Sequence, residues 1–158
     1  MQDKFSELVE HRLFRAEQDA GLTQADIQLA AAILMFEVIM SDGHVDRMEI
    51  AELVEILRQQ FGLGGEEIGE ILEQVRTVSG EKLELEPFTM KLRQYWNDDQ
   101  RLHLLNNLWI IALADQAIDD RERIIIDKFA RSLGLSDQDI ERTKAAAQEK
   151  LDLNLTSF

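Results

Sequence analysis

The stretch that decides the fold runs Leu29-Ala30-Ala31-Ala32-Ile33-Leu34-Met35-Phe36-Glu37-Val38-Ile39-Met40 and then breaks at Ser41-Asp42-Gly43-His44-Val45-Asp46-Arg47-Met48-Glu49. About a dozen residues, apolar all round except at Glu37, describe a helix buried on every side. That run falls short of the roughly 20 residues needed to span a bilayer. The polar break then places Asp46 three residues before Glu49, the spacing of a capping box that opens a second helix.

Outward from this hairpin the same logic recurs. Apolar residues return at three- and four-residue spacing, no segment alternates like a strand, and one proline and eight glycines punctuate the chain. A first helix is expected over Asp3 to Ala16, with Phe5, Leu8, Val9 and Leu13 on one face, and Thr23 caps the long apolar helix. The helix opened by Asp46 ends before Gly62, and another covers about Glu66 to Thr77. Pro87 sits in a favoured first-turn position, Asn97 caps a helix over Asp98 to Leu113, and Asp119 opens one that Gly134 ends. Ser136 and Asp139 form the last capping box, with fraying expected after Leu151. The fold class is therefore all-α, about seven to eight helices in a compact bundle.

An internal repeat underlies this order. Ser41-Asp42-Gly43-His44-Val45-Asp46-Arg47-Met48-Glu49 aligns with Ala114-Asp115-Gln116-Ala117-Ile118-Asp119-Asp120-Arg121-Glu122, which sets Phe36 on Trp109, Val38 on Ile111 and Met40 on Leu113. Gly62-Leu63 and Ile68 then match Gly134-Leu135 and Ile140. Neither half alone could bury its apolar faces, so a pseudo-two-fold arrangement is expected. The chain reads as a single domain over 1–158: a helical extension over 1–20, a first repeat over 23–78, a connecting segment over 79–96 and a second repeat over 97–150.

With 31 acidic and 17 basic residues the net charge is −14. Such a field repels phosphate backbones, so nucleic acid is not an expected partner, whereas cations and basic protein surfaces are. The absence of cysteine removes disulfides, thiolate metal sites and cysteine nucleophiles. Met1-Gln2-Asp3-Lys4-Phe5 lacks the basic-then-apolar pattern of a leader, so a cytoplasmic protein without direct membrane insertion is expected.

The recurring Asp-x-x-apolar-Asp-x-x-Glu turn is the candidate site: Asp42, Asp46 and Glu49, then Asp115, Asp119 and Glu122. Capping explains the inner pair of each set, with Val45 and Ile118 as hydrophobic staples. It does not explain Asp42 and Asp115, which follow helix C-termini where the macrodipole disfavours an anion by ~0.3–1 kcal/mol. Incurring that cost twice calls for something positive. Carboxylates with helix-end carbonyls and water suit a divalent cation such as Ca²⁺, Mg²⁺ or Mn²⁺, with Zn²⁺ also to be tested. A neighbouring Lys or Arg is the competing cation. The spacing is not that of an EF-hand, and His44 has Ala117 as its counterpart.

No enzyme pattern is present. His11, His44 and His103 follow Leu8, Ser41 and Gln100 by three residues, so no Glu-x-x-His motif exists, and P-loop, Gly-x-Gly-x-x-Gly, His-Glu-x-x-His and Gly-x-Ser-x-Gly motifs are missing. Neither catalytic nor organic-cofactor residues are expected. Tyr95, Trp96 and Trp109 read as core, and Glu37 as a carboxylate paired with an arginine or angled to the surface.

The paired turns, Asp42-Gly43-x-Val45-Asp46-x-x-Glu49 and Ala114-Asp115-x-x-Ile118-Asp119-x-x-Glu122, resemble the TerB (tellurite-resistance) family, which includes the N-terminal domain of DjlA-type co-chaperones. The resemblance spans about Thr23 to Lys150, and Gln116 departs from the glycine usual in the second turn. It implies an all-α fold of about seven helices and a non-enzymatic role in bacterial stress-response and membrane-associated complexes, with metal binding through the acidic turns. A protein partner follows from the same resemblance. The sequence leaves a homodimer open, and it does not say whether tellurite resistance is involved.

Overall fold

Local hydrogen bonding at the caps starts most of the helices. Asp46 accepts from the amides of Met48 and Glu49, Asn97 closes a full capping box with Gln100, and Asp119 closes one with Glu122. Ser136 and Asp139 exchange reciprocal bonds of 3.1 and 3.2 Å. In the computed structural model, which describes residues 24–41, 43, 45–77, 86–114 and 118–156, the helices are α1 (Gln24–Met40), α2 (Arg47–Gln59), α3 (Gly65–Thr77), α4 (Glu86–Tyr95), α5 (Asp98–Ala112), α6 (Asp120–Ser132) and α7 (Asp137–Thr156). No strand occurs among the described residues. The expected helix over Asp3 to Ala16 and the cap at Thr23 lie outside them.

α1 and α5 form the centre because each is apolar around most of its circumference. Ala30 to Met35 are buried without exception, as are Leu104, Leu105, Leu108, Trp109, Ile111 and Ala112. The other helices bury one stripe: Leu53, Ile56 and Leu57 of α2, and Ile126, Phe129 and Ala130 of α6. Those two stripes coincide when the halves are aligned. Each fully buried Leu or Ile contributes ~1.5–3 kcal/mol of transfer free energy.

The packing has the symmetry of the repeat. α1 packs on α5; α1 packs on α2 and α3 as α5 does on α6 and α7; and α1 packs on α6 as α5 does on α2. Exchanging the two halves leaves these pairs unchanged, as a pseudo-two-fold requires, while the contact of α2 with α3 has no equally close counterpart between α6 and α7. α4 has no counterpart and lies against α6 and α1.

Gly62 and Gly134 end α2 and α6 at φ of +67° and +81°, where a side chain is strained. The Leu135 amide returns to the Ala130 carbonyl at 3.0 Å, the long bond of a Schellman turn.

Several local expectations need correction. The last helix does not fray after Leu151 but continues to Thr156, with Leu151 packed on the core and Gln148 bonded to Asp152 one turn on. Tyr95 is 37% exposed and Trp96 is half-buried, so of the three aromatics only Trp109 is core. Val45 is 54% exposed and cannot staple, and the staple partner of Ile118 would be the charged Arg123. Ile118 packs on the core by itself.

Candidate functional site: two acidic turns

The two turns stand at equivalent places, each where an apolar helix of the central pair gives way to an amphipathic one. α1 ends with the Ser41 amide and hydroxyl donating to the Val38 carbonyl at 3.2 and 2.7 Å, and the Gly43 amide donating to the Met40 carbonyl at 3.1 Å. α5 ends with the Leu113 and Ala114 amides turned back to the Trp109 and Ile111 carbonyls at 2.9 and 3.1 Å. Of the helix-end carbonyls expected to act as ligands, Val38, Met40, Trp109 and Ile111 already accept local bonds.

In the first turn Asp46 Oδ1 accepts from the Met48 amide at 2.8 Å and the Glu49 amide at 3.4 Å. In the second, Asp119 Oδ1 accepts from the Arg121 amide at 2.8 Å, and the Asp119 amide donates to Glu122 Oε1 at 3.4 Å. The spacing of these four residues is thus accounted for by capping. Their burial is not: Glu49 is 1% and Glu122 is 0% exposed, while the caps above them are half-buried and exposed. A capping glutamate ordinarily keeps its carboxylate in water, since burying a charge is costly. The two carboxylates are thus buried at equivalent positions of the repeat.

Asp42 and Asp115 lie outside the described residues, as does His44. Of the six carboxylates expected at the turns, the structure therefore places two in each, Asp46 beside Glu49 and Asp119 beside Glu122. Among the described residues no group of three or more His, Asp or Glu side chains gathers closely enough to hold a metal. Arg47 and Arg121, exposed in the first turns of α2 and α6, are local cations that compete for the same charge.

The family model described as tellurite resistance protein TerB matches residues 28–145. The chain belongs to the TerB family. The match runs from α1 into α7 and contains both acidic turns, as well as the unpaired α4 between the halves. No curated protein and no solved structure matches the chain. Among the described residues of this TerB chain no helix is long and apolar enough to cross a membrane.

Glu37, the one charge in the α1 apolar run, is half-buried, and burial pushes its carboxyl above the ordinary glutamate range. Sequence reasoning missed a polar cluster at the far end of α2 and α5. Asn107, 1% exposed, exchanges reciprocal amide bonds with Gln60 at 2.9 and 3.1 Å, and His103 Nε2 lies 2.6 Å from the same Gln60 Oε1. The signal was available: Asn107 interrupts Leu104, Leu105, Leu108 and Trp109 on the buried face of α5.

Proposed function

We propose that this TerB-family chain is a non-enzymatic module that takes up a divalent cation at its acidic turns, through Asp42, Asp46 and Glu49 in the first and Asp115, Asp119 and Glu122 in the second. The observation that carries the reading is the burial of Glu49 and Glu122 at matching positions beneath aspartate-bearing turns. A bound cation offsets the cost of gathering like charges there, and an all-carboxylate donor set suits Ca²⁺, Mg²⁺ or Mn²⁺ better than Zn²⁺. The described carboxylates supply two donors per turn, and the third falls on Asp42 and Asp115.

Isothermal titration with the four cations, comparing the native chain with Asp42→Asn/Asp115→Asn, tests this. Heat seen only with the native chain supports it, and equal heats from both proteins end it.

A second reading, a metal-free scaffold or co-chaperone-type domain docking a basic partner, is favoured by α3. That helix exposes Glu66, Glu67, Glu70 and Glu73 within 13 residues and carries one arginine. Capture of a partner that salt abolishes and chelator leaves intact supports this reading over the first. Under either, the module works in the cytoplasm at stress-response or membrane-associated protein complexes, as a monomer or a homodimer.

A further inference from the structure

At the end of the bundle away from the first acidic turn, a cleft of 380 Å³ opens between the start of α1, the end of α2, the end of α4 and the start of α5. Gln28, on the cleft wall, is twelve residues before Met40, so roughly 18 Å of helix, at 1.5 Å per residue, separates the cleft from the first turn. The volume falls at the small end of the ~300–1,000 Å³ typical of small-molecule sites.

Three properties of the lining define what fits. First, Phe61, Tyr95 and Trp96 supply aromatic surface, and Tyr95 is 37% exposed although its ring is large and apolar. Second, side-chain amides of the lining are already ordered. The Gln60 and Asn107 amides pair reciprocally, and Gln60 Oε1 sits between Asn107 Nδ2 at 2.9 Å and His103 Nε2 at 2.6 Å. That oxygen accepts from Asn107 Nδ2 and, in the Nε2–H tautomer, from His103 as well, and each amide nitrogen keeps a second hydrogen beyond the pair. Gln28 Nε2 anchors the wall by donating to the Phe61 carbonyl at 3.1 Å. Third, among the described residues Asp99 is the one acid or fixed base lining the cleft, and no Lys or Arg lines it. In a chain of net charge −14 this disfavours a phosphate or carboxylate.

An aromatic wall beside preformed amide donors, with the Asp99 carboxylate as acceptor and no Lys or Arg among the described lining residues, matches a flat heterocycle with both carbonyl or ring-nitrogen acceptors and amino donors. We propose that this cleft binds an uncharged nucleobase or nucleoside. The base stacks on Tyr95 or Trp96, its acceptor edge meets the spare N–H groups of Gln60 and its neighbours, and Asp99 at the rim accepts from an exocyclic amine. The site is separate from the acidic turns, so chelator leaves it unaffected.

The test is titration of the full chain with adenosine, guanosine, cytidine and uridine, and with the matching monophosphates. Quenching of tryptophan fluorescence and saturation-transfer NMR are the two readouts. The expected result is saturable binding of at least one nucleoside below about 1 mM, weaker for its monophosphate, and weakened ~10-fold by loss of a hydrogen bond in Gln60→Leu. Gln60→Leu also removes both amide partners of the buried Asn107, so urea denaturation accompanies it, and His103→Leu, at an exposed ring, gives a second variant. Three outcomes overturn the proposal: no nucleoside saturates by about 1 mM, Gln60→Leu and His103→Leu both bind undiminished, or the monophosphate binds as tightly.

Discussion

The two roles assigned to Asp46 and Asp119, capping and cation binding, separate cleanly under substitution. Asparagine keeps the side-chain oxygen that accepts the 2.8 Å bonds from Met48 and Arg121 but removes the charge; alanine removes both. Asn and Asp are near-equal caps, so Asp46→Asn/Asp119→Asn loses only the charge–dipole contribution, ~0.3–1 kcal/mol per site, partly offset by relief of repulsion from Glu49 and Glu122. Asp46→Ala/Asp119→Ala loses the cap itself, ~1 kcal/mol per site and ~2 kcal/mol for the pair, since the two turns share no partner. For a chain of this length that is a fall in Tm of about 4–8 °C for alanine. A cation at 100-fold excess over its Kd stabilises the native chain by about 2.7 kcal/mol for each turn it occupies, and neither variant should show that increment. Urea denaturation with chelator and with Ca²⁺ or Mn²⁺ measures both effects. If the asparagine pair is as unstable as the alanine pair in chelator, the capping geometry is wrong. If the cation stabilises it as much as the native chain, cation binding at these turns is wrong.

Other outcomes follow from the same coordinates. Gly62→Ala and Gly134→Ala each place a side chain at positive φ and should cost ~1–2 kcal/mol in urea denaturation. Gly134→Ala should be the worse of the two, because its Cβ would stand 2.7 Å from Arg93 Nε whereas Gly62 faces open space; Arg93→Ala should remove the difference. Trp109→Ala should cost ~3–5 kcal/mol, as the residue is 1% exposed, with Lys144 of α7 over its ring at 5.7 Å from the centroid. Because burial raises the folded-state value of Glu37, the protonated carboxyl favours folding, and that contribution is complete below the unfolded value of ~4.3 and lost as pH rises through the folded value. Glu37→Gln should therefore stabilise the chain at pH 7 and lose that advantage near pH 4. Ser136→Ala should lower stability by ~1 kcal/mol through loss of the 3.1 Å bond from the Asp139 amide.

The helices were legible because their determinants are local. Capping at Asp46, Asn97, Asp119 and Ser136 depends on residues two or three positions away, and the apolar runs of α1 and α5 identify the centre without a partner. The repeat was legible for the same reason, since it consists of such signals recurring in order. What the chain's order alone could not convey was burial at its polar positions. The pattern Asp-x-x-Glu reads alike on a surface helix and here, and only the packing of helices against α2 and α6 decides that Glu49 and Glu122 are inaccessible while Val45 is left in water.

Composition, periodicity and caps determined an acidic all-α chain with two matching turns, since each of these is set by bonds spanning four residues or fewer. Tertiary structure alone decided which carboxylates leave solvent and that Gln60 meets Asn107 across 47 residues of chain. Side-chain pairs so distant in sequence meet only after the two halves have closed on one another, and the energy that brings them together comes from the apolar faces of α1 and α5 rather than from the polar groups themselves.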